Sequence, residues 1–307
     1  MRMAVPDLVS NSYFPAVAAV ELGFFKAEGL DVTNELLFPV PKTMEALREG
    51  ELDFVAGSAH ATLTAFKDWN GAKLVASLAQ HMYWFLVLRA DLGAKRGELE
   101  KVKGLRIGAA PGVDLGLRRL LKVAGLDPEA EGIQIQPVPG ATGASVSFGL
   151  TAAKALEEGK LDGFWANGMG AEVAVRNGVG TVVLDVRRGD GPPAARHFTF
   201  PALVTSDRVI ERDPQLVAAA VRAIVKTQKA LTEDPARATP VGEALFPPTE
   251  ATLIAELVKR DTPYYDANIS EATVSNMNRF AQDLGLLSKS VAYEAVVATQ
   301  FAHLWNE

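Results

Sequence analysis

The chain has 307 residues, of which 48% are hydrophobic and 22% charged, and its net charge is -6. This length and composition are typical of one large or two medium-sized globular domains. The negative net charge argues against a nucleic-acid-binding protein, and the lack of cysteine excludes disulfides, thiol nucleophiles and thiolate metal sites.

The first part of the chain predicts a βαβ unit. A strand at 2–8 is followed by Ser10, Asn11 and Ser12, and a helix from Pro15 to Gly29 leads into a second strand at 30–32. Ser12 is placed to cap this helix, and proline is tolerated in a first helical turn. The free N–H groups at such a helix start can hold an anion or a carbonyl group.

One pattern of residues occurs twice. In the segment 45–60, the end of a helix is followed by Gly50, a short apolar strand and the pair Gly57-Ser58, and the segment 155–167 repeats this order. In α/β units, ligands bind beyond the carboxyl ends of the strands. We therefore expect residues 58–60 and 165–168 to form opposite walls of one cleft. Helix–Gly–strand junctions are common, so coincidence is the alternative explanation of the repeat.

The remaining elements predict a second lobe and a helical tail. Large polar and aromatic residues at 80–84 indicate a crossing, after which strands begin at 104, 133 and 181 and a turn lies at 111–114. Residues 142–145 precede the helix that carries the second copy of the pattern. The segment 187–196, with its Gly-Pro-Pro, predicts a surface loop, and the segment 198–204 predicts the return crossing. Helices are predicted at 215–231, 249–260, 270–284 and from 290 onward.

These elements together predict an α/β protein with two lobes. We expect residues 1–86 and 202–307 to form the first lobe and residues 87–201 to form the second. Because strands stop and helices accumulate near the carboxyl terminus, the tail is expected to pack on the first lobe rather than to form a third domain.

Four segments carry a resemblance to a known family. They read SYFPAVAAVELGFFKAEGLDV, GELDFVAGS, VKGLRIGAAPG and SDRVIERDPQLVAAAVRAIVKTQKAL, in this order along nearly the whole chain. The set resembles the nitrate/sulfonate/taurine class of ABC-transporter substrate-binding proteins. The resemblance implies a hinged, periplasmic-binding-protein-like (type II) fold that closes on a ligand and delivers it to a membrane permease, usually from the periplasm. It also implies ligand contacts from the loop after the first strand, from Ser58 and from the turn at 111–114.

The same superfamily contains the enzyme that makes the thiamine pyrimidine. That enzyme relies on a cysteine-rich iron-binding segment, and this chain has no cysteine. The resemblance therefore does not extend to that activity.

Polar and aromatic residues at the ends of predicted strands are the candidate ligand-binding residues. They are Asn11, Ser12, Tyr13, Ser58, Ala59, His60, His81, Tyr83, Trp84, Gly112, Val113, Asp114, Trp165 and Asn167. The aromatic residues suggest a flat or unsaturated ligand stacked between rings, with hydroxyl and N–H groups holding a polar end. No arginine or lysine stands out in the predicted loops, which weakens the case for nitrate or sulfonate in particular.

Some of these residues have structural alternatives. Tyr13 and Trp84 could fill the core beneath the cleft, and Ser12 could do no more than cap its helix. His197 could hydrogen-bond within the hinge, and His303 is expected to be structural. A zinc or iron site could be formed by His60, His81 and Asp114, but no two of them have a helical ligand spacing. We expect no metal and no cofactor.

We expect the solute-binding protein of an ABC importer, which captures a small aromatic, heteroaromatic, carboxylate or sulfonate ligand by hinge closure. Its partners would be this ligand and a membrane permease, and the protein would be a monomer. One alternative is a hydrolase, lyase or decarboxylase on the same fold that uses His60 or His81 with Asp114. Another is a ligand sensor without a transporter.

The amino terminus leaves the compartment open. Met1, Arg2 and Met3 lead directly into the first predicted strand, without a signal peptide. We expect a periplasmic protein if a leader was replaced by a start methionine, and a cytoplasmic one if the native gene has none. No run of 18 or more apolar residues predicts a membrane span.

Overall fold

Two five-stranded sheets form the centres of two lobes in the computed structural model, which describes residues 1–141 and 147–307. The predicted α/β two-lobed fold is therefore confirmed, whereas the segment 142–145 lies outside the described residues. The strands are β1 Arg2–Val5, β2 Thr33–Leu36, β3 Phe54–Ser58, β4 Ala72–Ser77, β5 Phe85–Arg89, β6 Arg106–Ala109, β7 Gln134–Gln136, β8 Gly163–Ala166, β9 Gly180–Asp185 and β10 Pro201–Ser206.

The two sheets have equivalent strand orders. The first sheet has the order β2-β1-β3-β10-β4, and the second has the order β7-β6-β8-β5-β9. In each sheet the first three strands are parallel, and the fourth runs antiparallel to its neighbours. The strands of the repeated sequence pattern, β3 and β8, are the central strands of their sheets, so the repeat marks equivalent positions in the two lobes.

The repeated pattern has a simple physical basis. Gly50, with a φ of 82°, ends the helix before β3, and Gly159, with a φ of 69°, follows the helix before β8. A side chain would be strained in this left-handed conformation, and glycine is not. Every residue of β3 and β8 is buried, as expected for parallel strands that are covered by helices on both faces.

Helices cover both sheets and dominate the tail. They are α1 Phe14–Glu21, α2 Phe24–Ala27, α3 Val40–Glu49, α4 Asp114–Val123, α5 Phe148–Glu157, α6 Gly168–Arg176, α7 Asp207–Arg212, α8 Pro214–Glu233, α9 Ala238–Leu245, α10 Pro248–Ala251, α11 Ile254–Asp261, α12 Glu271–Asp283 and α13 Tyr293–Val296. Among the residues that the structure describes, no helix combines the length and the apolar character needed to cross a membrane.

The chain crosses between the sheets twice, between β4 and β5 and between β9 and β10. The two crossing segments are hydrogen-bonded to each other, because the N–H of Met82 donates to the carbonyl of Arg196 over 2.9 Å. The chain passes from one sheet to the other in the segments 78–84 and 186–200. The exact lobe boundaries of 86/87 and 201/202 stay a prediction.

The tail packs on the first lobe, as predicted. The side-chain amide of Gln228 on α8 donates to the carbonyls of Ser77 and Leu78 over 3.0 and 2.9 Å, and Trp305 Nε1 donates to the carbonyl of Val75 over 2.8 Å. The predicted long last helix from residue 290 is wrong. Its place is taken by the short helix α13, a bridge from Val297 to Leu74 and a 3₁₀ helix at Thr299–Asn306.

Two glycines allow α5 and α6 to pack closely beneath the gap between the lobes. A Cβ atom added to Gly170 would lie 2.5 Å from the carbonyl oxygen of Gly149. Backbone atoms cannot move aside as a flexible side chain can, so a larger residue would push the helices apart. This contact fixes the start of α6, where Asn167 and Gly168 face the first lobe.

We expect Gly170→Ala to lower the free energy of unfolding by about 1–3 kcal/mol, the usual cost of overpacking a close contact. Urea unfolding followed by circular dichroism measures the effect. Val175→Ala on the exposed face of the same helix is the control, with a change of no more than about 0.5 kcal/mol. Equal stability of the Gly170 variant and the wild type would contradict this description of the helix contact.

Candidate functional site

The ends of strands from both lobes surround a small cavity of about 40 Å³. We call it the interlobe cavity. Its lining residues are Pro6, Asp7, Ser10, Tyr13, Phe38 and Val40 from the first lobe, Trp84 from the first crossing, and Ala110, Val113, Phe148, Ala166 and Asn167 from the second lobe. This volume is well below the roughly 300–1,000 Å³ of typical small-molecule sites, so a ligand of that size requires the lobes to move apart. The lining, however, is mostly apolar with a few polar groups, as in such sites.

Four of the predicted ligand-binding residues line this cavity, namely Tyr13, Trp84, Val113 and Asn167. Tyr13 and Trp84 are buried as well, so they serve both as core residues and as cavity walls. The hydroxyl of Tyr13 lies 3.2 Å from Ser58 Oγ. Burial raises the pKa of Tyr13 to about 12, and the hydrogen bond with Ser58 partly opposes this rise. Tyr13 is therefore a neutral hydroxyl that a ligand could use as donor or acceptor.

His60 joins the two lobes instead of facing the cavity. Its Nε2 lies 3.0 Å from the carbonyl oxygen of Gly112, and its Nδ1 lies 3.0 Å from Thr199 Oγ1. A carbonyl only accepts, so Nε2 carries the proton and Nδ1 accepts from Thr199. Burial lowers the pKa of His60 to about 4. The imidazole is thus neutral, and both of its nitrogen atoms are engaged in hydrogen bonds.

The turn at 111–114 carries Val113, one of the residues that line the cavity. Asp114 accepts the N–H of Gly112 over 3.0 Å and pairs with Arg118 over 2.9 Å. Trp165 is fully buried, and its Nε1 donates to the carbonyl of Val113 over 3.2 Å. Trp165 therefore positions Val113, Asp114 fixes the turn before it, and neither is among the residues that line the cavity.

Asn11 is a contact between the lobes. Its Oδ1 accepts the N–H of Met169 over 3.2 Å, and its Nδ2 donates to Asp261. The neighbouring Ser12 is buried, but it does not cap α1, which begins after Tyr13 without a side-chain cap. The predicted capping role of Ser12 is wrong. Ala59 contributes only its N–H, which donates to the carbonyl of Phe200 over 2.9 Å.

His81 and Tyr83 lie at the crossing, outside the cavity lining. The ring of His81 is 5.3 Å from that of His197 and 6.1 Å from that of Tyr264. Burial, with the nearby Arg196, lowers the pKa of His81 to about 4. The alternative metal site of His60, His81 and Asp114 is not assembled, and the described residues contain no cluster of three or more potential metal ligands among His, Asp and Glu.

Asp7 is a charged lining residue that was not among the predicted site residues. It is 4% exposed, and its Oδ2 accepts hydrogen bonds from the N–H of Phe148, from Ser147 Oγ and from Asn167 Nδ2 over 3.1, 3.4 and 3.3 Å. Its Oδ1 accepts the N–H of Val9 over 3.0 Å. Burial raises the pKa of Asp7 to about 6. A carboxylate of the first lobe thus binds at the start of a helix of the second lobe.

Two aromatic rings meet across the cleft. Phe38 from the first lobe and Phe148 from the second are stacked, with ring centroids 6.1 Å apart and an angle of 18° between the planes. Neither was a predicted site residue. Together with Tyr13 and Trp84 they surround the interlobe cavity with rings from both lobes.

The comparisons with known proteins agree with this architecture. The family model described as "NMT1/THI5 like" matches residues 10–238, which is well over half of the chain. The chain belongs to this family. No curated protein sequence matches it significantly.

Solved structures that resemble this NMT1/THI5-like protein include transport proteins and an enzyme. The ligand-binding component of an ABC-type import system from Staphylococcus aureus is 13% identical, with 100% of this chain and 97% of that chain covered and a TM-score of 0.70. The periplasmic nitrate-binding protein NrtA from Synechocystis PCC 6803 is 14% identical, with 99% and 86% covered and a TM-score of 0.71. The desulfurization enzyme DSZB is 15% identical, with 98% and 97% covered and a TM-score of 0.67. At these identities the likeness shows the fold.

A buried ion cluster lies where the sequence predicted a surface loop. Arg187 is fully buried and pairs with Asp185 over 2.9 Å and with Asp261 of the tail. Its guanidinium carbon lies 4.5 Å from the ring centre of Tyr83 and 5.1 Å from that of Tyr264. We call Arg187, Asp185 and Asp261 the Arg187 cluster. It ties the second crossing of this NMT1/THI5-like protein to the tail on the first lobe.

Removing the arginine would leave the buried carboxylate of Asp185 without its cation and would leave Asp261 paired with Arg260 alone. We expect Arg187→Met to lower the free energy of unfolding by about 3–5 kcal/mol, measured by urea denaturation. The matched control is Arg212→Met, which removes an exposed ion pair with Asp53 and should change stability by less than about 1 kcal/mol. Similar small losses in both variants would show that the Arg187 cluster is not buried in solution.

The raised pKa of Asp7 makes stability depend on pH. The folded state binds the proton more tightly than the unfolded state, in which the ordinary value is 3.8. The resulting stabilisation is fully present below that value and is lost as the pH rises through about 6. When the pH is lowered through this range, the free energy of unfolding of the wild type should rise by about 3 kcal/mol relative to that of Asp7→Asn, since one pKa unit corresponds to about 1.4 kcal/mol.

Urea denaturation of both proteins at a series of pH values between about 3.5 and 8 measures this difference. Using the difference between the two proteins cancels the contributions of the other titrating groups, including His60. If the two stability curves ran parallel across this range, Asp7 would not be the buried carboxylate that we describe.

Proposed function

We propose that this protein is the solute-binding protein of an ABC importer and that it captures a small organic ligand in the interlobe cavity. The observation that supports the proposal is the cavity itself, which lies between two lobes and is lined by aromatic rings from both. Such a lining suits an aromatic or heteroaromatic ligand, and a carboxylate or sulfonate group was the other expectation from sequence. The proposal includes delivery to a membrane permease from the periplasm, in line with the similar proteins described above.

Hinge closure is the mechanism that this arrangement supports. Three hydrogen bonds join the lobes, and they pair Asp7 with Phe148, Asn11 with Met169, and His60 with Gly112. Each is made only while the lobes are together. A ligand that touches both walls of the cavity adds to these contacts, and therefore shifts the population toward the closed form.

The enzyme alternative receives less support from the same residues. His60 has both ring nitrogen atoms in hydrogen bonds, and Asp114 is paired with Arg118. His81 lies outside the cavity lining. The predicted pairing of either histidine with Asp114 as a catalytic unit is not arranged around the cavity. The sensor alternative would use the same cavity, and a permease gene beside this one would separate the two proposals.

Ligand binding can be tested with a thermal-shift panel of small aromatic acids, amines and heterocycles. For any compound that binds, we expect Trp84→Leu and Phe148→Leu to weaken the affinity at least tenfold, because each loses ring contacts worth about 1.4 kcal/mol or more. The control Trp305→Phe alters a buried tryptophan of the tail and should leave the affinity unchanged. Equal affinities in all four proteins would refute the placement of the site.

Closure can be tested separately from ligand contact. A Cβ atom added to Gly168 would lie 2.9 Å from Asn11 Nδ2 of the opposite lobe and closer still to Nη2 of Arg260 in the tail. We expect Gly168→Ala to hold the lobes apart and weaken binding about tenfold, while the melting temperature of the free protein changes little. Small-angle X-ray scattering with saturating ligand should show a smaller compaction than in the wild type. Full compaction and affinity in this variant would contradict hinge closure at this contact.

A further inference from the structure

Asp7 is the one charged residue among the described residues that line the interlobe cavity. The other lining residues are aromatic or aliphatic, apart from Ser10 and Asn167. No arginine, lysine or histidine is among them. The charge that a ligand meets in this cavity is therefore that of a carboxylate.

This carboxylate has no cation as partner within the part of the chain that the structure describes. Its hydrogen-bond donors are backbone N–H groups, those of Val9, Phe148 and Gly149, together with the Ser147 hydroxyl and the Asn167 amide, all of them neutral. The buried carboxylates of the Arg187 cluster, in contrast, share a guanidinium. A buried carboxylate without a counter-charge costs several kcal/mol, and the raised pKa of Asp7 agrees with this. Oδ1 accepts a single hydrogen bond among the described residues, and a carboxylate oxygen can accept two.

At the starts of α4, α5 and α6, N–H groups that could hold an anion already donate to side chains of the described residues. The first N–H of α5 donates to Asp7. At the start of α6, the N–H groups of Met169 and Gly170 donate to the side chain of Asn167. The N–H of Gly112 before α4 donates to Asp114. A sulfonate or carboxylate would therefore find few free donors here and would be repelled by Asp7.

We propose that the interlobe cavity selects a small organic cation, an ammonium or amidinium group on an apolar or aromatic body. The cationic group would donate to Asp7 Oδ1, and the body would pack among Phe38, Trp84 and Phe148. Aromatic faces attract cations, and this attraction is stronger in a desolvated site. The inference rests on the proposed function, because it assigns the ligand class of the same cavity.

The test uses probes of similar size that differ in charge. Isothermal titration calorimetry of the wild-type protein at about pH 7.5 compares benzylamine and benzamidine, both cationic, with neutral benzyl alcohol and anionic benzoate and benzenesulfonate; the pH is chosen so that Asp7 is ionised. We expect the cations to bind at least tenfold more tightly than the alcohol, and both anions more weakly than the alcohol. This ranking does not depend on the folding of any variant.

A variant then assigns the effect to Asp7. We expect Asp7→Asn to lower the affinity for benzylamine at least tenfold and to leave that for benzyl alcohol within about threefold, since only the charge is removed. Asp127→Asn, a carboxylate of a surface turn, is the matched control and should keep the wild-type ranking. Circular dichroism confirms that both variants are folded.

The outcomes separate the two proposals. Tighter binding of the anions, an unchanged preference in Asp7→Asn or no binding of any probe would overturn the assignment of a cation. If the anions bind and Trp84→Leu still weakens them, the solute-binding function stands without the cation. If the cations bind but neither Trp84→Leu nor Gly168→Ala affects them, the interlobe cavity is not the site and the proposed function fails.

Discussion

The carboxylate of Asp7, buried between the lobes among neutral donors, is the interaction on which the account of this protein depends. It comes from the loop after the first strand of one lobe and accepts the first N–H of α5 in the other. It therefore closes the cavity on one side and sets the charge inside it. Because its partners lie on both lobes, separating the lobes would return this carboxylate to water and lower its pKa toward the ordinary value.

The buried charges of the protein lie in two different environments. In the Arg187 cluster, one guanidinium is shared by two carboxylates and packed between aromatic rings. Arg260 also pairs with Asp261 over 3.2 Å, so the charges are balanced within the fold. Such a cluster fixes the geometry of the crossing without offering charge to a ligand. Asp7 lies at a cavity wall and has no cation partner among the residues that the structure describes. Uncompensated ionisable groups in clefts are commonly functional, and this contrast is the physical basis for assigning the ligand class.

Much of the fold could be predicted from the sequence, because its signals are local. Gly50 and Gly159 have the left-handed backbone that their position after a helix suggested, and the apolar runs after them are the central strands of the two sheets. Reasoning from strand ends also placed Tyr13, Trp84, Val113 and Asn167 at the cavity. The limit of local reasoning is illustrated by Arg187, whose glycine- and proline-rich surroundings predict a surface loop. Its partner Asp261 is 74 residues away, and no local pattern reveals that pairing.

Asp7 was missed for a related reason. The sequence predicted a strand to residue 8, whereas β1 ends at Val5, so Asp7 was counted within a strand although it belongs to the loop at the carboxyl end. Pro6 marks that end and was the available signal. The donors from Ser147, Phe148 and Asn167, which lie 140 or more residues away in the chain, could not be inferred from spacing.

The most direct test of this account is a pH titration of the Asp7 side-chain carboxyl carbon by ¹³C NMR in the ligand-free protein, with assignment by comparison with Asp7→Asn. A carboxylate buried between closed lobes and lacking a cation should titrate near 6. A midpoint near the ordinary aspartate value of 3.8 would mean that Asp7 is solvated or paired with a cation, and would contradict the closed, uncompensated site described above.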